Sequence, residues 1–450
     1  MPIGLTSSPP PSGRIRTWVT SGERRYAVGP GAEWSASGET SSAETIELHP
    51  ESRLQEILGF GAAFTDASCY MFSQLAPDAR QALLHELFHP SAMNLSVCRT
   101  CIGASDYSTE LFGHDEGDPD TELKRFSIDH DRPYVLPALR DARKLNPDLF
   151  LFSSPWSPPG WMKANGSMLG GSMRKKHFAA YARYFVKFIQ AYTSEGVSIQ
   201  AVTSQNEVDT DQDGRMPACL WGQEYEIEFI SQHLGPALEA AGLSTKIWLL
   251  DHNYNLWGRV ICSLDDSGLR KYCNAIAWHG YVGTAEMMRK VLEAHPKVEM
   301  HWTEGGPDYT SKNYATDWVT WAETFIGTLN NGCASITGWN LALDERGRPN
   351  IGPFSCGGLV TVHSRTKETT QSGQYHAFAH FSRSIQRGAQ VFASSSRSKD
   401  LAHVACKNRD GGQVLVISNS GSGRSVTLRA GGMATNLFLD SDSVTTAVWA

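Results

Sequence analysis

The sequence lacks long apolar runs and clusters of basic residues, and each absence excludes a class of protein. No apolar run reaches the roughly 18 residues that a membrane-spanning helix needs. Lys and Arg number 40 against 47 Asp and Glu, which gives a net charge of −7 over 450 residues. The one basic run is Arg174, Lys175 and Lys176. We therefore expect no membrane span and no nucleic-acid partner.

The sequence also lacks a full set of paired cysteines and the pattern of a signal peptide. Only Cys98 and Cys101, of nine cysteines, form a C-x-x-C pair, and no second pair completes a zinc set. The expected state is free, mostly buried thiols, which is typical of a reducing compartment. Residues 1–14 are rich in Pro and Ser and have no basic and apolar signal-peptide regions, so they are predicted to be a disordered lead. This favours a cytoplasmic protein, or a secreted one if an N-terminal signal has been removed.

Eight β-like runs alternate with amphipathic helical stretches between residues 51 and 385. Eight such alternations predict an α/β fold, a (β/α)8 TIM barrel. The runs cover residues 55–64, 94–103, 149–155, 199–206, 246–251, 275–281, 298–304 and 335–341. A doubly wound open sheet is the alternative, but no G-x-G-x-x-G follows the first run.

The two ends of the chain have a different composition from the middle. Residues 15–50 and 386–450 are rich in Ser, Thr, Gly and Val. They predict an all-β sandwich side domain built from both chain ends. Within it, residues 414–418 and 425–428 predict a hairpin.

Two glutamates stand where a barrel carries its chemistry, at the carboxyl ends of predicted strands. Glu207 ends the fourth strand and Glu304 the seventh, 97 residues later. These strands lie nearly opposite in an eight-stranded barrel, so the carboxylates can converge over its mouth. Glycoside hydrolysis requires such a pair, one protonated to release the leaving oxygen and one ionised to attack or to activate water. A lone glutamate at either position would more often be a salt-bridge partner.

Aromatic and amide side chains at other strand ends predict sugar contacts. Trp156 and Trp339 can stack on the apolar faces of pyranose rings, although tryptophans are also common in cores. Asn206 can donate to a sugar hydroxyl or serve only as a turn amide. The remaining candidates are His279 and Tyr281, which end the sixth strand. His279 is placed to hold one of the glutamates ionised.

Asp66 ends the first predicted strand. It is a candidate acceptor for two sugar hydroxyls or a cap for the following helix. No metal site is expected, since no H-E-x-x-H occurs and His252 and His279 lack a convincing third ligand. A G-x-S-x-G serine motif is absent as well. No cofactor is predicted.

Five segments of the chain, taken together, resemble glycoside hydrolase family 30, and within it the lysosomal acid β-glucosidases. The segments fall in the family's order between residues 50 and 390. They are Gly59-Phe-Gly-Ala-Ala-Phe-Thr-Asp66, Ser154-Pro-Trp-Ser-Pro-Pro-Gly-Trp-Met-Lys163, Ser204-Gln-Asn-Glu207, Thr303-Glu304 and the stretch from Trp339 to Asn350. The resemblance implies a retaining β-glycosidase with a (β/α)8 barrel and a side β-domain.

The resemblance also implies roles for individual residues. Glu207 matches the general acid/base and Glu304 the nucleophile. Sugar-binding positions are matched by Asp66, Trp156, Asn206, Trp339 and Asn350, and a His/Tyr pair near the nucleophile by His279 and Tyr281. Val208 departs from the proline that follows the acid/base in many members, and the loop 209–221 has its own acidic start.

The substrate is a carbohydrate or a glycolipid, and the sequence leaves its identity open. The first expectation is exo-action on β-glucosides or glucosylceramide-like lipids. The alternatives within the enzyme class are an endo-β-1,6-glucanase and a β-xylosidase or xylanase. A non-catalytic carbohydrate-binding protein and a metal-dependent barrel enzyme are more remote hypotheses. The oligomeric state is not predicted.

Overall fold

The computed structural model describes residues 13–36 and 44–450. Residues 1–12 of the predicted lead lie outside this range. The chain divides into two compact units. One comprises the described parts of Met1–Gly59 together with Ala315–Ala334 and Ser372–Ala450, and the other comprises Phe60–Tyr314 with Ser335–Gln371.

Eight strands close into the predicted barrel, so the (β/α)8 architecture is confirmed. In chain order they are Gly59–Phe64, Val97–Cys101, Phe150–Ser154, Ala201–Thr203, Lys246–Asn253, Cys273–His279, Glu299–Glu304 and Cys333–Asn340. Nearly every residue of these strands is buried, as expected when both faces of a parallel sheet are covered. Each of the eight predicted runs overlaps one barrel strand.

Helices follow the barrel strands and bury one apolar face each. In Phe178–Ser194 that face includes Phe178, Tyr181, Phe185 and Phe188, the 3-to-4 residue spacing of an amphipathic helix. The helix Asp66–Ser73 begins after Thr65, whose side chain accepts from the backbone N–H of Ser68. The other helices of this unit are Pro77–Phe88, Val135–Leu145, Gln223–Glu228, the π-helix Phe229–Leu234, Gly235–Ala240, Trp257–Leu264, Ser267–Tyr272 and Met288–Ala294.

The barrel-containing unit also has short elements in its loops. A small sheet joins Ala342–Leu343, Val360–Val362 and Thr369–Gln371. The 3-10 turns are Asp129–Asp131, Gly160–Met162, Lys175–His177, Gln212–Gly214, Tyr254–Leu256 and Ala285–Met287.

The unit that contains both chain ends has an eleven-stranded sheet, which confirms the predicted all-β domain. The N-terminal strand Arg14–Ser21 pairs antiparallel with the C-terminal strand Ser443–Trp449. In sheet order the strands are Arg24–Val28, Arg14–Ser21, Ser443–Trp449, Gln413–Asn419, Leu401–Lys407, Gln390–Ser396, Thr45–Glu56, Arg424–Ala430, Met433–Leu439 and Ser35–Ala36, with Ala32–Glu33 paired to Arg14–Ser21. Two helices, Trp318–Asn330 and Gly373–Ser382, belong to this unit.

The predicted hairpin within this sheet is wrong. Gln413–Asn419 pairs with Leu401–Lys407 and Ser443–Trp449, while Arg424–Ala430 pairs with Met433–Leu439 and Thr45–Glu56. The Gly-Ser-Gly segment therefore connects two separate parts of the sheet. Local turn signals do not encode the long-range pairing that decided this.

Two further expectations concern the cysteines and the membrane. All nine cysteines are free, and seven of them are fully buried. Among the described residues, no helix is long and apolar enough to cross a membrane.

Gly61, in the first barrel strand, provides a test of the packing between barrel strands. A Cβ at this position would lie 1.9 Å from the carbonyl oxygen of Val97. We expect Gly61→Ala to lower the free energy of unfolding by about 1–3 kcal/mol, since the added methyl overpacks the strands. Gly258→Ala is the matched control, because a Cβ there meets nothing within 4 Å. Urea unfolding of both variants measures the difference, and equal stabilities would contradict this account.

Candidate active site

A cavity of about 400 Å³ lies at the carboxyl ends of the barrel strands and contains both predicted catalytic carboxylates. Glu304 and Asn340 are the last residues of the seventh and eighth strands, and Glu207 follows the fourth. The lining residues are Asp106, Trp156, Asn206, Glu207, Thr210, Gln212, Met216, His252, Asn253, Tyr281, Glu304, Trp339, Phe354 and Cys356. The site therefore occupies the part of the barrel where this fold carries its chemistry.

A buried guanidinium organises the floor of the cavity. Arg99, on the second strand, is fully buried. It donates to Glu304 Oε2 at 2.5 Å, to Asn206 Oδ1 at 2.7 Å and to Asp251 Oδ2 at 2.6 Å. A buried charge is tolerated only when it is paired and hydrogen-bonded, and Arg99 meets this requirement with two carboxylates. The planar guanidinium thereby fixes three side chains from three strands relative to one another.

Glu304 is held at both carboxylate oxygens. Arg99 binds Oε2, and the Tyr281 hydroxyl donates to Oε1 at 3.1 Å. These two donors fix the orientation of the carboxylate. The predicted contact between Tyr281 and this glutamate is present.

Glu207 also has polar groups near both of its carboxylate oxygens. His279 Nδ1 lies 3.4 Å and His252 Nδ1 3.6 Å from Oε1, and Gln212 donates to Oε2 at 2.7 Å. Burial alone would raise the pKa of Glu207, but the His279 hydrogen bond, the two histidine charges and Gln212 outweigh it and lower the pKa. Glu207 also has a positive φ of 53°, a strained conformation that is typical of functional positions.

His279 connects the two glutamates. Its Nδ1 faces Glu207, while Nε2 lies 3.0 Å from Asp251 Oδ1 and 3.8 Å from Glu304 Oε2. Burial opposes a charge on this ring, but Glu304 and the hydrogen bonds to Asp251 and Glu207 raise its pKa to about 9. His279 is thus a cation in the neutral range and stabilises the ionised forms of its carboxylate neighbours.

The walls of the cavity carry the predicted tryptophans. Trp156 and Trp339 stack on each other with ring centroids 4.9 Å apart. The Arg99 guanidinium lies 4.5 Å from the Trp156 ring centroid. The side-chain amide oxygen of Asn206 accepts from Arg99, so the side-chain NH₂ group of Asn206 remains a donor for a ligand.

The position of this chain among known proteins follows from both sequence and fold. The sequence pattern of the glycosyl hydrolase family 30 TIM-barrel domain matches residues 57–385. The chain belongs to glycosyl hydrolase family 30. This confirms the resemblance found in the sequence, and the protein is a retaining β-glycosidase that hydrolyses O-glycosyl bonds.

Individual members of family 30 are similar over most of the chain. An endo-1,6-β-D-glucanase of Neurospora crassa is 34% identical over 395 residues, covering 83% of this chain and 81% of that protein. The lysosomal acid glucosylceramidase of Mus musculus is 30% identical over 407 residues, covering 85% and 78%. The solved structure of the endo-β1,6-glucanase BT3312 has a TM-score of 0.88 and 29% identity, covering 97% and 100% of the two chains.

Two of the sugar-binding positions implied by the resemblance do not line the cavity. Asn350 is hydrogen-bonded within its own turn, to the carbonyl of Phe354 and the N–H of Gly352. Asp66 is buried with both oxygens bonded, one to Thr109 and the other to His130. The acidic side chain that reaches the cavity from this region is Asp106.

Asp106 lies on the loop that Asp66 anchors. The Ala67 N–H donates to the Tyr107 carbonyl, and Asp66 accepts from both the N–H and the hydroxyl of Thr109. Asp106 is 4% exposed, and its Oδ1 has no hydrogen-bond partner among the described residues. Burial and the charges of Glu304 and Glu207 raise its pKa well above the ordinary value. The Asp106 carboxyl is therefore placed to bind a ligand hydroxyl through this oxygen.

The sequence interpretation overlooked four residues, and for three of them a signal was present. Arg99 is a charged residue inside an otherwise apolar strand, which is unusual unless the charge is paired. Asp251 and Asp106 are acidic residues at or just after strand ends, the same signal that identified the glutamates. Gln212 offered no comparable signal, because its position depends on the conformation of the 209–214 loop.

The Asp66–His130 pair provides a pH-dependent test of the loop anchor. Burial opposes a charge on each partner, but their mutual hydrogen bond, aided by Thr109 at Asp66, lowers the pKa of Asp66 and raises that of His130. Stability from His130 is fully present below its unfolded pKa of about 6.5 and is lost as the pH rises through its raised folded pKa. We therefore expect Asp66→Asn to destabilise the protein most near about pH 6, with the loss shrinking at alkaline pH.

Urea unfolding over a series of pH values measures this effect. His130 also faces Glu110 at 3.4 Å and is influenced by Asp131. His130→Gln serves as the control, because Asp66→Asn in that background should show no such pH dependence. A destabilisation that is equal at every pH would contradict the ion-pair account.

Proposed function

We propose that this protein hydrolyses β-1,6-linked glucan from within the chain, by a double displacement in which Glu304 is the nucleophile and Glu207 the general acid/base. The observation that carries the mechanism is the single imidazole of His279, which lies within 4 Å of both glutamates. Among the relatives, endo-1,6-β-D-glucanases of Neurospora crassa, Aspergillus fumigatus and Trichoderma harzianum support this substrate, with 34%, 31% and 31% identity.

The first step forms a covalent glycosyl-enzyme. Glu304 attacks the anomeric carbon as the glycosidic C–O bond breaks, and Glu207 transfers its proton to the leaving O6 of the next glucose. Arg99 and Tyr281 orient the Glu304 carboxylate before attack. As the new bond forms, the negative charge of Glu304 is consumed, and Glu207 becomes the anion.

The second step releases the sugar with its β configuration retained. Glu207 removes a proton from water, whose oxygen attacks the anomeric carbon and displaces Glu304. The donors around Glu207 favour the ionised form that this step requires. The first step requires the protonated form, so kcat/KM should fall as the pH rises above the Glu207 pKa.

The cavity walls supply the binding contacts for one sugar ring. Trp156 and Trp339 line the cavity and give its C–H groups an apolar wall, and Asn206 and Asp106 can bind its hydroxyls. Tyr281 and Phe354 line the cavity but remain 47% and 42% exposed. These half-exposed aromatics are suited to a further glucose unit, as an endo-acting enzyme requires.

Hydrolysis of glucosylceramide-like lipids is the second candidate. It rests on relatives that are named glucosylceramidases, including the Mus musculus protein at 30% identity. The same half-exposed aromatic side chains at the cavity can contact an acyl chain. The higher identity of the 1,6-glucanases favours the polymer over the exo-action expected from sequence.

A substrate panel distinguishes these candidates. We expect linear β-1,6-glucan to yield a ladder of oligosaccharides, because cleavage inside the chain leaves glucose units on both sides of the scissile bond. Xylan, glucosylceramide in detergent micelles and aryl β-glucosides are assayed in parallel, with products separated by chromatography. Release of glucose alone from aryl glucosides or glucosylceramide, with the polymer untouched, would contradict endo-action.

Variants of the two glutamates test their roles. Glu304→Gln should lose turnover of every β-glycoside, because an amide cannot form the glycosyl ester. Glu207→Gln should slow hydrolysis about 10²–10⁴-fold when the leaving group needs a proton. The loss should be much smaller for dinitrophenyl glycosides, whose leaving group is already a stable anion.

Glu299→Gln is the matched control for these variants, since Glu299 begins the strand that Glu304 ends and is half-exposed. Its kcat should equal that of the wild type. Wild-type activity in Glu304→Gln, or an equal loss for all leaving groups in Glu207→Gln, would reject the assigned roles.

A further inference from the structure

One carboxylate oxygen in the cavity is faced by two imidazole nitrogens. Glu207 Oε1 lies 3.6 Å from His252 Nδ1 and 3.4 Å from His279 Nδ1. The three ligand atoms all lie within 4.8 Å of one another. His252 and His279 lie on the fifth and sixth barrel strands and Glu207 follows the fourth, so the parallel pairing of these neighbouring strands brings the three side chains together.

Each of these imidazoles has a carboxylate on its opposite nitrogen. His252 Nε2 lies 2.6 Å from Asp209 Oδ1, and His279 Nε2 lies 3.0 Å from Asp251 Oδ1. In metal sites, the carboxylate that accepts from the far N–H fixes the tautomer, so that the near nitrogen can bind the ion. His279 Nδ1 is hydrogen-bonded to Glu207, so binding of the ion there releases the Nδ1 proton to solvent. Both histidines of the trio therefore have the outer support that metal-binding histidines have.

The nitrogen of His252 that faces Glu207 is unused. His252 is 6% exposed, and its Nδ1 forms no hydrogen bond with any described residue. A buried ring nitrogen without a partner is costly unless it serves a purpose. His252 and Glu207 both line the cavity, so an ion between them can be reached from solvent and can keep a water ligand.

We propose that Glu207, His252 and His279 form an inhibitory binding site for a divalent transition-metal ion such as Zn²⁺. Tetrahedral Zn²⁺ with bonds of about 2.0–2.1 Å separates its ligand atoms by about 3.3 Å. The two Glu207–histidine distances are within a few tenths of an ångström of this value. The distance between the two imidazoles is the one that has to adjust.

The ligand set of two imidazole nitrogens and one carboxylate oxygen determines which ions the site prefers. Imidazole ligands suit Zn²⁺, Ni²⁺, Cu²⁺ and Co²⁺, whereas Mg²⁺ and Ca²⁺ prefer sites made entirely of oxygen. An ion on Oε1 would prevent Glu207 from giving or taking a proton and would stop both steps of the proposed reaction. The inhibition rests on the proposed role of Glu207, but the binding site itself does not.

Calorimetric titration with Zn²⁺ tests binding independently of activity. We expect one Zn²⁺ per chain and no binding of Mg²⁺. His252→Gln removes a ligand and should abolish this binding. Asp209→Asn keeps all three ligands but removes the outer support of His252, so the Kd should rise about 10–100-fold.

Two control variants and one spectrum exclude other sites. His295→Gln disrupts a His–Asp pair that does not line the cavity, in which Nε2 lies 3.4 Å from Asp265 Oδ1. Cys262→Ser removes the exposed thiol. Neither should change the Kd for Zn²⁺. Bound Co²⁺ should show visible ligand-field absorption without a sulfur-to-cobalt charge-transfer band, since no thiolate takes part.

Activity assays then test the inhibition. Zn²⁺ should remove most of the turnover of a β-glycoside, and a chelator should restore it fully. A Zn²⁺ Kd that is unchanged in His252→Gln, or a loss of binding in Cys262→Ser, would overturn the site. If Zn²⁺ binds as expected but no β-glycoside is hydrolysed, the proposed function fails and the metal site stands.

Discussion

The charge of Arg99 at the floor of the barrel is the constraint on which the rest of the site depends. An unpaired guanidinium in a fully buried position would be strongly destabilising, and Arg99 is paired with the carboxylates of Glu304 and Asp251. Burial opposes the ionisation of Asp251, but the charge of Arg99 and the His279 contacts hold the pKa of Asp251 far below its usual range. The same interaction that makes the burial of Arg99 tolerable therefore fixes the position of the Glu304 carboxylate.

Environment gives identical side chains different proton affinities in this cavity. Asp251 is ionised because Arg99, His279 and Thr303 all contact its carboxylate. Asp106 is also buried, but burial and the charges of Glu304 and Glu207 raise its pKa. The surroundings of the two aspartates thus shift their pKa values in opposite directions within one site.

His252 and the 209–214 loop distinguish the surroundings of Glu207 from those of Glu304. Glu304 is held by groups on the barrel strands, or just beyond their ends, which are rigid. Glu207 is contacted by Gln212 from a loop in which Gln212 and Asp213 both have positive φ. Residues other than glycine rarely adopt a positive φ, so this loop has an uncommon backbone conformation. The surroundings of Glu207 therefore depend on this loop as well as on His252 and His279 of the barrel strands.

The barrel, the all-β domain and the positions of both glutamates could be predicted from the sequence, because strand and helix periodicities are local and parallel strands end at one face. Trp156 and Trp339, which stand at strand ends, were indicated in the same way. The acidic residue that reaches the cavity from the first two strand ends could not be predicted, because tertiary contacts select it. Asp66 is hydrogen-bonded to Thr109 and His130, and Asp106 lines the cavity instead. No local pattern encodes this difference, because it depends on residues far apart in the chain. The same is true of the pairing of the C-terminal strands and of the contacts of Arg99.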